Sequence, residues 1–255
     1  RSMVTDPSGL APRPSAGPRV LLWRFHALGD VVLAPGVAAA LSRDVELWVA
    51  TEERFQPVFA GLVPPERLLT RAAVEAGPDV HFERVVDLQG TPGSRRLARR
   101  IAPATASVRT RSAARRWIVL WGDRFPRPRL PHAAVRYAAA AALCSSRAAS
   151  CGEETLRSIA PRVVVRPEEE LEARRLAPAV FAAAGGPAIA LLTGASRRTK
   201  EYPRASFLEV AARLGAAGAR VWWVEPPGAQ PGPVPPGSEV LRLPLAPLKA
   251  ALARA

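Results

Sequence analysis

Lysine, cysteine and histidine are scarce in this chain. Lys200 and Lys249 are the only lysines among 36 basic residues. The two cysteines, Cys144 and Cys151, and the three histidines, His26, His81 and His132, stand in no metal-ligand spacing. A structural zinc site is therefore not expected, and a small loop-closing disulfide is the one other use open to the cysteines. No apolar run approaches the roughly 20 residues that a transmembrane helix needs. No stretch joins a basic start, an apolar centre and a small-residue cleavage site, so no secretory address is expected and the reading is cytoplasmic. A glycine fingerprint is also missing after the first apolar segment, which counts against an NAD-linked dehydrogenase.

What is present is a globular composition, with 48% hydrophobic and 23% charged residues over 255 positions. That length gives room for two modest domains. The net charge of +14 is almost wholly arginine. Alanine and arginine enrichment accounts for part of it as genome composition, but such a field attracts phosphate groups whatever its origin. Nucleic acid, anionic lipid headgroups and nucleotide-sugar phosphates are the candidate partners. The charge permits nucleic acid, yet no motif supports it, and none is expected. The chain opens Arg1-Ser2 before Met3 and closes on LAPLKAALARA without a cap or tail, which reads as a fragment.

Residues 1–18, rich in Pro, Gly and Ser, read as a disordered arm. Beyond them the periodicity predicts a strand at 20–25, a helix at 31–41, a strand at 45–50 and a helix at 52–60. Another strand follows at 84–88, then a QGTPGS turn, a basic helix through Arg100, a strand near 106–109 and an alanine-rich helix at 133–143. A linker is placed at 145–162, which sets a first domain at 19–160 and a second at 161–255. Pro167 with Glu168, Glu169 and Glu170 reads as a helix N-terminus, where the macrodipole favours acids. Strands at 188–192, 220–224 and 239–243 alternate with helices at 204–214 and from about 246. Short strands alternating with helices argue for an α/β fold with parallel sheets.

Two places could carry chemistry. In VLLWRFHALGDVVL (20–33), Gly29 suits a tight turn, and Asp30 either caps a helix or presents a carboxylate at the crevice where open α/β sheets hold ligands. In TGASRRTKEYP (193–203), a strand delivers hydroxyls and cations just before a helix, as a phosphate site would, although this is no Walker sequence.

The ordered set RFHALGDVVL (24–33), VVDLQG (85–90) and TGASRRTKEYPRASFLEVAARL (193–214), with HAAVRY (132–137), resembles the heptosyltransferases of glycosyltransferase family nine over about residues 19–255. The resemblance implies two Rossmann-like domains facing each other in the GT-B arrangement, the second incomplete here. It implies an inverting transfer of heptose from a nucleotide sugar such as ADP-heptose to a lipopolysaccharide-core acceptor, without cofactor or required metal. Asp30 then is the general base. Lys200 contacts the leaving diphosphate, with Ser196 beside it, and a fixed cation there lowers the barrier as charge develops. Glu225 is a candidate for a ribose diol. Gly29, Gln89 and Arg95 fall on the acceptor side, and Arg24 is an internal partner. The acceptor is expected to be an anionic, lipid-linked glycan, with peripheral contact at the inner membrane through arginine-rich segments such as 95–100 and 109–116.

The chain departs from the family pattern twice. Thr91-Pro92-Gly93-Ser94 stands where members often carry a lysine, and the chain ends before the family's Asp-Ser/Thr-Gly and histidine segment. The second departure raises a rival reading, a catalytically incompetent module that binds a nucleotide or glycan.

Overall fold

The computed structural model describes residues 17–108, 112–121, 124, 132–143, 163–182, 186–195, 200–230 and 232–255. The expected arm up to residue 16, the linker at 145–162, both cysteines and Ser196 lie outside them. The chain divides into two compact units, with the boundary between Val164 and Val165.

The first unit is built on five parallel strands, β1 (Arg19–Trp23), β2 (Glu46–Thr51), β3 (Leu68–Thr70), β4 (Arg84–Asp87) and β5 (Ala104–Ser107), in the order β3-β2-β1-β4-β5. β1 is buried from Val20 to Trp23, as a central parallel strand covered on both faces must be. The chain runs outward from β1 to β2 and β3, then returns to place β4 on the other side. The switch point therefore lies between the C-terminal ends of β1 and β4, where Trp23 is in register with Asp87. One face of the sheet is sealed by Leu21, Trp23, Phe25 and Val85 packed with Val74, Phe82 and Ala98.

The helices of this unit depart from the sequence pattern in instructive ways. The helix expected at 31–41 is two, α1 (Leu28–Val31) and α2 (Ala34–Leu41), with Pro35 in the first turn of the second. Residues Glu53–Val58 form a tight 3-10 segment rather than an α-helix, because Pro57 lacks the amide that an α-helical ladder would use. β3 and α3 (Arg71–Ala76) are too short to leave a periodic signal. α4 (Pro92–Ile101) starts with a reciprocal capping box between Thr91 and Ser94, with Pro92 in its first turn. α5 (Ser112–Trp121) was not expected, and α6 (Ala133–Ala142) was.

The second unit holds a three-stranded parallel sheet, β6 (Ala188–Leu192), β7 (Arg220–Val224) and β8 (Glu239–Leu241), with β7 in the middle. Adjacent tryptophans on β7 point to opposite faces, as the pleat requires. Trp222 packs with Ala177, Val180, Leu241 and Ala251, from the side of α7 (Pro167–Leu176), α8 (Pro178–Ala182) and α10 (Leu245–Leu252). Trp223 packs with Ala211 and Phe207 of α9 (Arg204–Ala216).

Of the three glutamates that open α7, Glu169 does more than complement a helix dipole. Its side chain is 2% exposed and takes Lys249 of α10, 8% exposed, at 2.9 Å. Burial pushes the Lys249 ammonium below its ordinary range, and the bond to Glu169 opposes that shift.

Candidate active site

The end of β1 passes into a short loop whose backbone is strained. Ala27 takes φ 64°, a conformation a Cβ-bearing residue rarely adopts, and its carbonyl accepts the amides of Asp30 at 2.8 Å and Val31 at 3.0 Å. Gly29, expected at the unusual angle, is instead an ordinary residue of α1. A Cβ there would meet nothing within 4 Å, so the turn itself does not demand glycine. The capping reading of Asp30 also fails: α1 has no side-chain cap, and Asp30 lies inside its first turn.

The Asp30 carboxylate is instead held from two sides. The Arg24 guanidinium pairs with Asp30, donates to Leu88 O at 2.9 Å and His26 O at 3.2 Å, and lies 5.9 Å from the Tyr137 ring. Tyr137 of α6 shares a side-chain hydrogen bond with Asp30. Burial is the main cause that pushes its phenol up to about 12. The Asp30 side chain still keeps 38% of its surface exposed. A carboxylate oriented by two fixed neighbours and open on one side can receive a proton from a bound hydroxyl.

Asp87, at the end of β4, is the opposite case. It is fully buried and accepts from Trp23 Nε1 at 2.8 Å, from the Gln89 and Gly90 amides at 2.9 Å each, from Ser94 Oγ at 2.8 Å and from Ser107 Oγ at 3.2 Å. Gly90, at φ 65°, closes the turn that brings both amides inward. Sequence reasoning gave Asp87 no role, since nothing in the pattern says which carboxylate the fold will saturate.

Beside the Asp30 loop lies a cavity of about 550 Å³ lined by His26, Arg71, Gln89, Thr91, Arg96 and Arg100, among others. The Oε1 atom of Gln89 is buried without a partner. Arg96 and Arg100 sit one turn apart on α4, an arrangement that disfavours an isolated helix and suits an anionic ligand. Arg71 is shared with Glu75 at 2.6 Å. Arg95, the cation expected here, is placed elsewhere: its Nη2 donates to Val108 O at 3.1 Å, tying α4 to the residue after β5. His26 Nδ1 is 2.9 Å from Glu52 Oε1, and that bond is the chief cause holding the Glu52 carboxyl below its ordinary range.

In the second unit, Thr193 follows β6 and donates through Oγ1 to Val224 O at 3.1 Å. A Cβ on Gly194 would come within 3.0 Å of the Pro226 ring, so the Gly194 backbone packs against that side chain. Lys200 is exposed and carries no ion pair to another described residue. Glu225, directly after β7, is buried. Its Oε1 takes Trp223 Nε1 at 3.0 Å and Arg204 Nη2 at 2.9 Å, and its Oε2 takes Arg242 at 2.6 and 2.9 Å. Burial alone would push the Glu225 carboxyl up, but these hydrogen bonds outweigh it and hold it below its ordinary range. Arg204 also donates to Pro233 O at 2.7 and 2.9 Å, which pins the proline-rich loop after Glu225. Arg204 and Arg242 were not foreseen, because no local pattern pairs an arginine with a glutamate beyond the next strand.

The glycosyltransferase family 9 (heptosyltransferase) model matches residues 78–232, more than half of the sequence. The chain belongs to glycosyltransferase family 9. No curated protein matches it by sequence. Its fold matches that of a family 9 glycosyltransferase from Veillonella parvula at 18% identity and TM-score 0.63, covering 93% of this chain and 73% of that one. It also matches the E. coli heptosyltransferase WaaC solved with ADP-2-deoxy-2-fluoro heptose, at 20% identity and TM-score 0.59, covering 93% and 80%. E. coli ADP-heptose lps heptosyltransferase II matches at 14% identity and TM-score 0.57, covering 93% and 77%. The family 9 match takes in the Asp87 turn, all of α4 with Arg96 and Arg100 of the cavity, Lys200 and Glu225. Asp30 and Arg24 stand before it in the sequence.

Proposed function

We propose that this family 9 glycosyltransferase transfers a heptose or related sugar from a nucleotide sugar such as ADP-heptose to an anionic acceptor of the lipopolysaccharide-core type, with inversion. The observation that carries the reading is Asp30, a partly open carboxylate fixed by Arg24 and Tyr137 beyond the switch point of a parallel sheet. Asp30 takes the proton of the acceptor hydroxyl while the oxygen attacks the anomeric carbon. The bond from that carbon to the diphosphate oxygen breaks on the opposite face, and the electron pair leaves with the nucleoside diphosphate. Lys200, exposed and unpaired among the described residues, balances the charge that develops on the diphosphate, with Ser196 as a hydroxyl partner. No metal is needed for that step.

The acceptor side is supported by the cavity with Arg71, Arg96 and Arg100, which offers guanidinium groups to carboxylates or phosphates, and by Gln89, which lines it and whose Oε1 has no partner. Gly29 leaves room for a ligand to approach the backbone next to Asp30. Arg95 contributes by fixing α4 rather than by touching the acceptor. On the donor side, Glu225 spends its four acceptor positions on Trp223, Arg204 and Arg242, so its part is to hold those arginines in place rather than to bond a ribose diol directly. The acceptor is read as lipid-linked, which brings the enzyme to the inner face of the plasma membrane.

Calorimetric titration with ADP and ADP-heptose, run beside Lys200→Ala, tests the donor half. Binding that weakens about tenfold in the variant, with the fold intact, is the expected result and corresponds to losing roughly one charge-assisted contact. Equal binding by both proteins would remove Lys200 from the site. Absence of ADP binding by the parent chain would overturn the donor assignment.

A further inference from the structure

Helix α5 ends on five consecutive apolar residues, Trp117-Ile118-Val119-Leu120-Trp121. Five residues cover more than a full helical turn, so they leave no polar face on that stretch. Val119 is 83% exposed and Leu120 69%, and Trp117 and Trp121 keep 46% and 43% of their surface in solvent. Single exposed apolar residues are ordinary in a folded protein, but four contiguous ones at a helix end form a patch that marks a contact with something apolar.

The surroundings say what that contact is. Arg115 and Arg116 stand immediately before the apolar stretch in the same helix. Exposed Arg124 follows it, its amide donating to Trp121 O at 2.9 Å. The chain as a whole carries +14. An occupant must offer apolar depth in the middle and negative charge at both margins. A nucleic acid supplies the charge without the depth, and a neutral protein groove supplies the depth without the charge. An anionic bilayer supplies both, and indole rings favour its interface because one end is apolar and the other polar. Among the described residues no helix is long and apolar enough to cross a membrane.

We propose that α5 is an interfacial membrane anchor: it lies in the plane of an anionic bilayer surface, with Val119, Leu120 and the two tryptophans at the acyl boundary and Arg124 at the headgroups. The proposal stands on this helix and does not depend on the transferase reading.

The test is co-sedimentation of the full chain with vesicles of phosphatidylglycerol and phosphatidylethanolamine, beside vesicles of phosphatidylcholine alone. The parent protein binds the anionic vesicles, and high salt weakens the binding. Val119→Glu/Leu120→Glu and, separately, Arg115→Glu/Arg116→Glu each reduce binding about tenfold or more, with thermal midpoint and ADP binding unchanged. No vesicle binding, equal binding by the variants, or equal binding to phosphatidylcholine would each overturn the proposal. So would a homodimer, seen by sedimentation velocity, that Val119→Glu/Leu120→Glu splits, since a second copy would then be what covers the patch.

Discussion

Asp30 and Glu225 are both carboxylates that follow a strand and both are held by arginine, yet the fold leaves them in opposite states. Asp30 has one arginine, one tyrosine and 38% of its side chain in solvent. Glu225 has two arginines, a tryptophan and 3% exposure. The first is oriented without being saturated, as a group must be if it is to exchange a proton with a ligand. The second is saturated by its own unit, so its first task is architectural: it fixes Arg204, and through it the loop at Pro233. Charge and position in the chain are alike, and the number of partners separates the roles.

The comparison can be broken most sharply at Asp30. Replacing it with Asn keeps the size, removes the proton acceptor and lowers the transfer rate about 10²–10⁴-fold, read as ADP release, with ADP affinity and unfolding midpoint unchanged. Loss of folding in that variant would make Asp30 structural as well. Removing Arg96 and Arg100 together by alanine raises the KM for an anionic acceptor about tenfold or more and leaves donor binding alone, since each guanidinium contributes on the order of one charge-assisted bond.

Glu225→Ala acts on stability instead. It strands two arginines and costs the second unit about 3 kcal/mol in urea unfolding, the low end for a broken buried pair because both guanidinium groups keep about a third of their surface in water. The pH dependence has a definite sign. The folded value of Glu225 lies below 4.5, so its contribution is fully present above that unfolded value and is lost as pH falls through the folded one. Glu225→Gln flattens that acid limb. The smallest effect is at Tyr137. Its folded value of about 12 exceeds the ordinary phenol value of 10.0, so its contribution is present below 10 and is lost as pH rises toward 12. In ultraviolet titration of tyrosinate, Tyr137→Phe removes the late phase.

Apart from β3, which is too short to leave a signal, the strands of this molecule were legible, the central ones because buried parallel strands are nearly continuous apolar runs. β6 and β7 match the pattern residue for residue, and β1 differs by a residue or two at its ends. The 3-10 segment at Glu53–Val58 was not legible, since the apolar spacing there fits a helix and only the missing amide of Pro57 decides otherwise. In the candidate site, Asp30, Lys200 and Glu225 were singled out from local motifs. Tyr137 lies more than 100 positions beyond Asp30 in the sequence, and Lys249 lies 80 beyond Glu169. No local pattern announces such pairings. The positive φ falls on Ala27 rather than on a glycine, where composition gives no warning.

The Asp87 network changes what the string Asp-Leu-Gln-Gly means. One carboxylate fastens β1 through Trp23, the following turn through two amides, α4 through Ser94 and β5 through Ser107. Those amides are already committed inward, so a ligand cannot use them, and it is the Gln89 side chain, which lines the cavity with its buried Oε1 unpartnered, that has capacity to spare. Half of such a signature is therefore masonry rather than chemistry. A chain that had lost its reaction but kept its fold would still have every reason to carry it, and the presence of that string alone tells of shape before it tells of catalysis.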